Sequence, residues 1–124
     1  MSRKRSGSQT ALRLWKVIRV TLEELYTLLQ TTNIPVVYRA WTGQDVPPLP
    51  WLCYLETNSD NFGADNVVYS SAQEILVELY SAQKSPELER RVEAVLTGAE
   101  IYWEKTETYI ESQRCYQVAY DITV

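Results

Sequence analysis

The sequence lacks histidine altogether and has only four glycines among its 124 residues. Histidine is the usual proton carrier at neutral pH and the commonest metal ligand in proteins. Its absence excludes a histidine-containing catalytic triad and every zinc site that uses imidazole. The isolated glycines form neither a phosphate-binding loop nor a dinucleotide-binding motif. We therefore expect a protein that is not an enzyme, with no cofactor, no bound metal and no small-molecule substrate.

Cysteine is also scarce, since Cys53 and Cys115 are the only two, far apart and in no C-x-x-C arrangement. We predict that both are strand residues with free thiols in a reducing compartment, rather than a disulfide or a metal site. No stretch approaches the ~20 apolar residues of a membrane span. Residues 11–20 are too short and too charged for a signal peptide. The sequence therefore predicts no membrane partner.

Aromatic residues are unevenly represented, with four tryptophans and nine tyrosines against one phenylalanine. Tyrosine and tryptophan bury a large area while keeping one polar atom for a hydrogen bond, which suits protein–protein contacts. The same property suits half-buried positions on strands. Both roles stay open for any one of these side chains.

Basic residues are concentrated at the N-terminus. Six of the 12 lie within residues 1–19, where there is no acidic residue: Arg3, Lys4, Arg5, Arg13, Lys16 and Arg19. Residues 20–124 carry the other six and all 16 acidic residues, a net charge of −10. Such an acidic body should repel nucleic acid from most of its surface. The basic segment is expected to contact nucleic acid, an anionic membrane or an acidic neighbour, or to be a solvated arm.

A strong helix start marks the beginning of the folded domain. Thr21 and Glu24 have the spacing of a capping box, and Val20 and Leu25 that of a hydrophobic staple. The helix should end near residues 31–33, because Pro35 restricts the residue before it. We therefore divide the chain into a basic, flexible extension, residues 1–19, and an α+β domain, residues 20–124. Within the extension, residues 11–19 could form a short amphipathic helix that docks on the body of the protein, on a neighbouring subunit or on nothing. Alternatively, the reading frame is over-extended and the natural start is Val20.

The remaining chain is predicted to contain strands on either side of a second helix. Ser85 should cap this helix, with Pro86 at its first position and Gly98 as a left-handed stop. The predicted elements are strands at 35–41 and 51–56, a strand that resumes at 66–70 and is continued or followed by residues 73–81, a helix at 84–99, and strands at 101–110 and 114–124. The order α-β-β-β-α-β-β predicts an α+β fold, with a mainly antiparallel sheet of four to five strands packed by two helices.

Charged side chains on the predicted strands have a structural explanation. Glu104 and Glu107 should lie on opposite faces of one strand, too far apart for paired acid–base catalysis. Glu107 and Glu111 share a face with Lys105, which predicts a solvated cross-strand charge ladder. In the turn-rich segment 57–65, Asp60 and Asp65 have oxygen ligands for a cation, but their spacing is not that of an EF-hand, and a hydrogen-bonded turn is the preferred interpretation.

Several separated segments together resemble small proteins from the head–tail joining region of siphophages and prophages of Gram-positive bacteria. They are Thr21–Tyr26 with Ile34–Tyr38, Ser59–Tyr69 with Ile75–Tyr80, the Ser85–Glu89 helix start, and Glu104–Ile110 with Tyr116–Tyr120. The order of helices and strands is similar to that of tail terminators. The resemblance runs from about Val20 to the C-terminus and leaves residues 1–19 outside it.

The resemblance implies a virion protein of the phage tail and neck, assembled in the host bacterial cytoplasm. It implies a homo-oligomeric, six-membered ring that ends the tail tube and joins the tail to the head. The implied partners are the major tail tube protein and a neck or head-completion (stopper) protein, with transient proximity to DNA in the channel. The alternatives are another neck component, such as a tail-completion or head-completion protein, and a cytosolic protein-binding module unrelated to phages.

The candidate interface residues combine aromatic and charged side chains on predicted loops and strands. Phe62 is the one apolar aromatic in an otherwise polar turn, and it is either an interface anchor or part of its own core. The full set is Asn61, Phe62, Asp65, Trp41, Trp103, Lys105, Glu107 and Tyr109.

Overall fold

The computed structural model describes residues 20–43, 46–60 and 72–124. Within them are two helices and five strands: α1 (Leu22–Gln30), β1 (Val36–Tyr38), β2 (Trp51–Asp60), β3 (Ala72–Ser81), α2 (Pro86–Gly98), β4 (Trp103–Ile110) and β5 (Cys115–Thr123). This confirms the predicted α+β class and the order of elements. Neither helix has the length and apolar character needed to cross a membrane.

Both helices begin as their sequences predict. The Thr21 side chain accepts a hydrogen bond from the Glu24 backbone N–H, and the Glu24 carboxylate accepts one from the Thr21 N–H. This reciprocal pair satisfies two of the N–H groups that a helix start leaves without partners. Ser85 caps α2 by accepting from the Leu88 N–H, with Pro86 at the first helical position. Local sequence therefore fixes where each helix starts.

The five strands form one sheet in the order β1-β2-β3-β5-β4. β1 is parallel to β2, and all other neighbouring pairs are antiparallel, so the sheet is mixed but mainly antiparallel. β1 and β4 are the edge strands. The outer edge of each has no strand partner within the described residues.

Both helices pack on the same face of the sheet, which we call the helix-bearing face. Leu25 and Leu29 from α1 and Val92 and Leu96 from α2 are fully buried in one core cluster. Alternating residues of the three central strands complete that cluster: Leu52, Tyr54, Ile75, Val77, Leu79, Val118, Tyr120 and Ile122. Along β3 and β5, buried residues therefore alternate with outward ones. Burying such a continuous apolar layer is the main contribution to stability in a domain of this size.

Several predicted boundaries need correction. The first strand ends at Tyr38 because Arg39 has a positive φ of 74° and turns the chain. β2 continues past the predicted end at Glu56 to Asp60, with a register shift between Glu56 and Asn58. The left-handed stop predicted at Gly98 is wrong, because Gly98 is the last helical residue and Glu100 has the positive φ, 63°.

Other predictions fall outside the described residues. These are the flexible extension at 1–19 and the strand at 66–70, together with Asp65 and most of the turn that it ends.

Candidate interaction surfaces

A network of ionised side chains fastens edge strand β4 to helix α2 on the helix-bearing face. Glu89 is only 4% exposed, and its carboxylate accepts hydrogen bonds from Lys84 at 2.6 Å and Lys105 at 2.9 Å. Lys105 also donates to Glu93 at 2.7 Å. Lys84 extends the network by pairing with Glu107. The buried carboxylate is thus compensated by two cations, as a buried charge requires.

The protonation of this network follows from its contacts. Burial alone would raise the pKa of Glu89, but hydrogen bonds from Lys84 and Lys105 outweigh it and hold the pKa below its ordinary value. The Tyr120 hydroxyl donates to Glu93 at 2.8 Å. Burial and then this bond to Glu93 raise the pKa of Tyr120 far above its ordinary value. Glu89 and both lysines, whose pKa values are raised by their bonds to carboxylates, are therefore ionised at neutral pH, and Tyr120 is neutral.

The predicted charge ladder of Lys105, Glu107 and Glu111 is corrected by this arrangement. Lys105 pairs with Glu89 and Glu93, and Glu107 pairs with Lys84. Lys105 turns towards α2 because α2 carries closer carboxylates than its own strand. The two candidate interface residues Lys105 and Glu107 therefore form ion pairs within their own domain.

A tyrosine groove lies along the open edge of β1. Tyr54 contacts Tyr38 edge-on, with ring centroids 5.1 Å apart, and Tyr26 of α1 lies 6.1 Å from the same ring. Tyr26 and Tyr38 are 36% and 38% exposed. Arg39 lies over the outer Tyr38 ring at 5.6 Å. Burial, and then the neighbouring hydroxyls, raise the pKa of Tyr54. The groove offers apolar ring surface and hydroxyl groups to a partner.

The β4 edge carries a second aromatic surface. Tyr109 is 49% exposed and contacts Tyr116 edge-on, with ring centroids 4.9 Å apart. Tyr102, just before the strand, is the most exposed of the large side chains at 76%. Trp103 differs, because its ring packs edge-on against Tyr120 and its Nε1–H donates to Thr97 at 3.0 Å. Of the two aromatic candidate residues on β4, Tyr109 is available to a partner and Trp103 packs against the core.

The opposite side of the sheet, the helix-free face, has no helix on it within the described residues. We define it by the outward residues Trp51, Cys53, Leu55, Glu74, Leu76, Glu78, Tyr80, Glu104, Gln117, Ala119 and Asp121, which the registers place side by side. The part of this face around Trp51 is aromatic. The centroid of the Trp51 ring lies 4.7 Å from that of Tyr80 and 6.3 Å from that of Trp41. The Trp41 Nε1–H donates to the Leu52 carbonyl at 3.3 Å. The candidate residue Trp41 is thus half-buried as a cover over this part of the face.

Beneath Trp41 lies a small polar cluster. Burial, and then the charge of Glu78, raise the pKa of the Cys53 thiol to about 11. Tyr80 and Gln117 both donate to Glu78, at 3.2 and 3.0 Å. Burial nevertheless raises the pKa of Glu78, and burial and the same carboxylate raise the pKa of Tyr80 to about 12. The thiol and the phenol of this cluster are therefore protonated at neutral pH, so the thiol is not activated as a nucleophile.

The part of the helix-free face formed by β4 and the end of β5 is acidic. Glu104 and Asp121 are directly opposite each other on β4 and β5. They line one groove with Glu74, Tyr102 and Thr123. The Tyr102 hydroxyl donates to Glu104 at 3.1 Å. None of these three carboxylates forms an ion pair within the described part of the chain.

Sequence reasoning missed several residues of these surfaces. Neither Tyr26 nor Tyr38 is among the candidate interface residues, although both are exposed and the surplus of tyrosine is the sequence signal that points to them. The Glu104–Asp121 pair depends on strand register, which composition does not reveal. The candidates Asn61, Phe62 and Asp65 lie outside the described residues. Both cysteines are free and buried.

Residues 20–43, 46–60 and 72–124 contain no cluster of three or more potential ligands arranged to hold a metal ion. No protein-family model, curated protein or solved structure matches this chain.

Proposed function

We propose that this protein is a structural subunit of a phage tail, without enzymatic activity, that forms a tail-terminator-like ring at the head-facing end of the tail tube. The observation that carries the proposal is a single sheet whose two edge strands differ in character and have no further strand partner within the described residues. β1 offers a three-residue parallel edge with a tyrosine groove, and β4 offers an eight-residue edge that is exposed along most of its length.

Two different edges suit a ring because a ring closes through heterologous contacts, in which one surface of a subunit meets another surface of its neighbour. Unpaired strand edges are ready to accept a further strand or segment, so natural monomers usually protect them. Here the exposed aromatics Tyr38 and Tyr109 lie at the two edges instead. Joining the β1 edge of one copy to the β4 edge of the next would protect both.

The charge of the domain fits the remaining partners of such a ring. Residues 20–124 have a net charge of −10, so a channel lined by this domain repels DNA and lets it pass without binding. The expected neighbours are the major tail tube protein on one side and a neck or stopper protein on the other. The tail-terminator fold itself belongs to this proposal, as do the hexameric stoichiometry and the virion location.

The test is native mass spectrometry of the full chain, alone and with the tail-tube protein encoded beside it. The proposal expects a closed ring, six-membered if the resemblance is right, that binds tube subunits. A ring that binds a neck protein but never tube would assign the chain to another neck component. A strict monomer under all these conditions would overturn the proposal.

Two edge variants make the test specific. Tyr38→Lys and Tyr109→Lys each place a charge at one edge and leave the other edge intact, so each alone should fail to form rings. Mixing the two variants should give a heterodimer that grows no further, because one intact edge of each remains. Val46→Lys is the matched control, since Val46 is an exposed apolar residue (42%) in a loop. Rings that survive both edge variants would exclude edge-to-edge closure.

A further inference from the structure

The acidic groove on the helix-free face has an electrostatic cost that the domain leaves uncompensated. Two like charges directly opposite each other on neighbouring strands destabilise a sheet, and Glu104 and Asp121 occupy such positions. All six basic residues of the domain are described, and the only one on a strand is Lys105, whose ammonium bonds carboxylates of α2. Cations from outside the domain would therefore remove this repulsion.

Apolar side chains adjoin the acidic groove. Leu55 and Leu76 are directly paired in the β2–β3 register, and both are half-buried. Leu76 is in turn the register partner of Asp121, and Ala119 is the next outward residue of β5. A strip of apolar surface beside a row of carboxylates matches a segment with apolar side chains on one side and basic ones on another.

The chain itself contains a segment of this chemistry. Residues 11–19 (ALRLWKVIR) carry three basic and no acidic side chains, interleaved with leucine, tryptophan, valine and isoleucine. The whole stretch 1–19 carries six basic residues, against the net charge of −10 on residues 20–124. Charge complementarity therefore exists between this segment and the domain that follows it.

Chain length indicates which copy receives the segment. Val20 packs against the core cluster on the helix-bearing side of the sheet. An extended chain spans at most about 3.3–3.6 Å per residue, so Ile18 lies within about 7 Å of Val20. The helix-free face of the same domain lies on the far side of the sheet, and packed layers are about 10 Å apart. Arg19, the residue next to Val20, therefore cannot face the acidic groove of its own domain.

We propose that residues 11–19 dock on the helix-free face of a neighbouring copy, with Arg13, Lys16 and Arg19 facing Glu74, Glu104 and Asp121. The inference deepens the ring proposal, because it supplies a second head-to-tail contact between subunits. It assigns a function to the N-terminal extension and to the acidic groove together.

Photo-crosslinking tests this contact directly. Trp15 is replaced by p-benzoylphenylalanine in the full chain, and the products are mapped by mass spectrometry after mixing unlabelled and ¹⁵N-labelled protein. Crosslinks from position 15 to the Leu55 or Leu76 peptides, between a light and a heavy chain, are expected. Crosslinks within one chain, crosslinks to other surfaces, or none at all would overturn the inference.

Charge reversal supplies the second arm. Glu104→Arg with Asp121→Arg should lower the crosslink yield at least about tenfold, because like charges then face each other. Adding Arg13→Glu, Lys16→Glu and Arg19→Glu in the same chain should restore it. The control, Glu23→Arg with Glu111→Arg, makes the same charge change at exposed sites elsewhere and should leave the yield unchanged. Unchanged yield in the Glu104/Asp121 variant would also overturn the docking.

These outcomes separate the two proposals. Rings that bind tube while position 15 crosslinks elsewhere would leave the tail-terminator proposal intact and exclude the docking. Crosslinks to the helix-free face of a second chain, in a protein that never closes a ring, would support the docking and exclude the tail-terminator proposal.

Discussion

The two faces of the sheet treat their carboxylates in opposite ways. On the helix-bearing face, Glu89 and Glu93 are hydrogen-bonded to lysines. On the helix-free face, Glu78 receives only a hydroxyl and an amide, and Glu104 and Asp121 face each other without a cation. The difference teaches that the carboxylates of one face hold helix to sheet, whereas those of the other face have no cation within the described residues and lie beside an apolar strip.

The largest expected contrast is between two leucines of the same strand. Leu79 is 1% exposed in the core, so Leu79→Ala should lower the free energy of unfolding by about 2–5 kcal/mol through lost burial and a cavity. Leu76 is half-buried on the other face, and Leu76→Ala should cost about 1 kcal/mol or less in the monomer. Urea denaturation of both variants measures this. Equal losses would mean that the helix-free face is as deeply buried as the core.

The second contrast is between buried carboxylates on the two faces. Glu89→Gln removes the charge that two lysines surround, and should cost about 1–2 kcal/mol at pH 7 because both lysines stay partly solvated. Glu78→Gln keeps an acceptor for Tyr80 but removes a charge that burial disfavours. It should therefore leave stability unchanged or raise it slightly.

The two carboxylates, Glu89 and Glu78, should change the stability of the wild-type protein with pH in opposite directions. The pKa of Glu89 lies below its ordinary value of 4.5, so its stabilisation is complete above pH 4.5 and is lost as the pH falls through the lowered pKa. The pKa of Glu78 is raised, so its ionisation costs stability as the pH rises from 4.5 through the raised pKa. Denaturation of wild type and both variants between pH 3 and pH 7 gives the two slopes. Parallel slopes would contradict the contrast.

The sequence predicted the helix-bearing face well because local rules determine it. The capping box at Thr21 and the Ser85–Pro86 start depend only on neighbouring residues, and both form as predicted. The period-two pattern of Ile75, Val77 and Leu79 also needs no knowledge of distant partners. The burial of Glu89 was not predicted, since its compensation by Lys84 and Lys105 exists only after α2 packs beside β4.

The helix-free face was harder to predict because it depends on register. A turn at 111–113 would have placed Glu104 opposite Tyr120. The turn is one residue longer, with Arg114 at a positive φ of 53°, and Glu104 is opposite Asp121 instead. A single residue in a turn thus decides whether two acids meet. Nothing in the residue types marks Arg114 as left-handed.

The third contrast tests the cover over the aromatic part of the helix-free face. Cys53 is 3% exposed, and Trp41 lies above it with its backbone N–H bonded to the thiol. Trp41→Ala should raise the labelling rate of Cys53 by Ellman's reagent about tenfold at pH 8, because local opening exposes the sulfur. Cys115→Ser in both proteins restricts the signal to Cys53. An unchanged rate would show that other parts of the chain protect the thiol.

The smallest expected effect is a difference in sign: substituting one exposed glutamate should lower the free energy of unfolding, and substituting another should raise it. Glu87 pairs with Arg91 at 3.0 Å one helical turn away, so Glu87→Gln should cost about 0.3–0.5 kcal/mol. Glu104→Gln keeps an acceptor for the Tyr102 hydroxyl and relieves the repulsion with Asp121, so it should stabilise the isolated domain by a few tenths of a kcal/mol.

Both changes remove one negative charge, and a general effect of net charge would therefore move both in the same direction. Thermal unfolding at low ionic strength makes the difference largest, because exposed charges are least screened there. If Glu104→Gln instead destabilises the full-length protein at a concentration at which it is monomeric, the Glu104 carboxylate already has a cationic partner within its own chain.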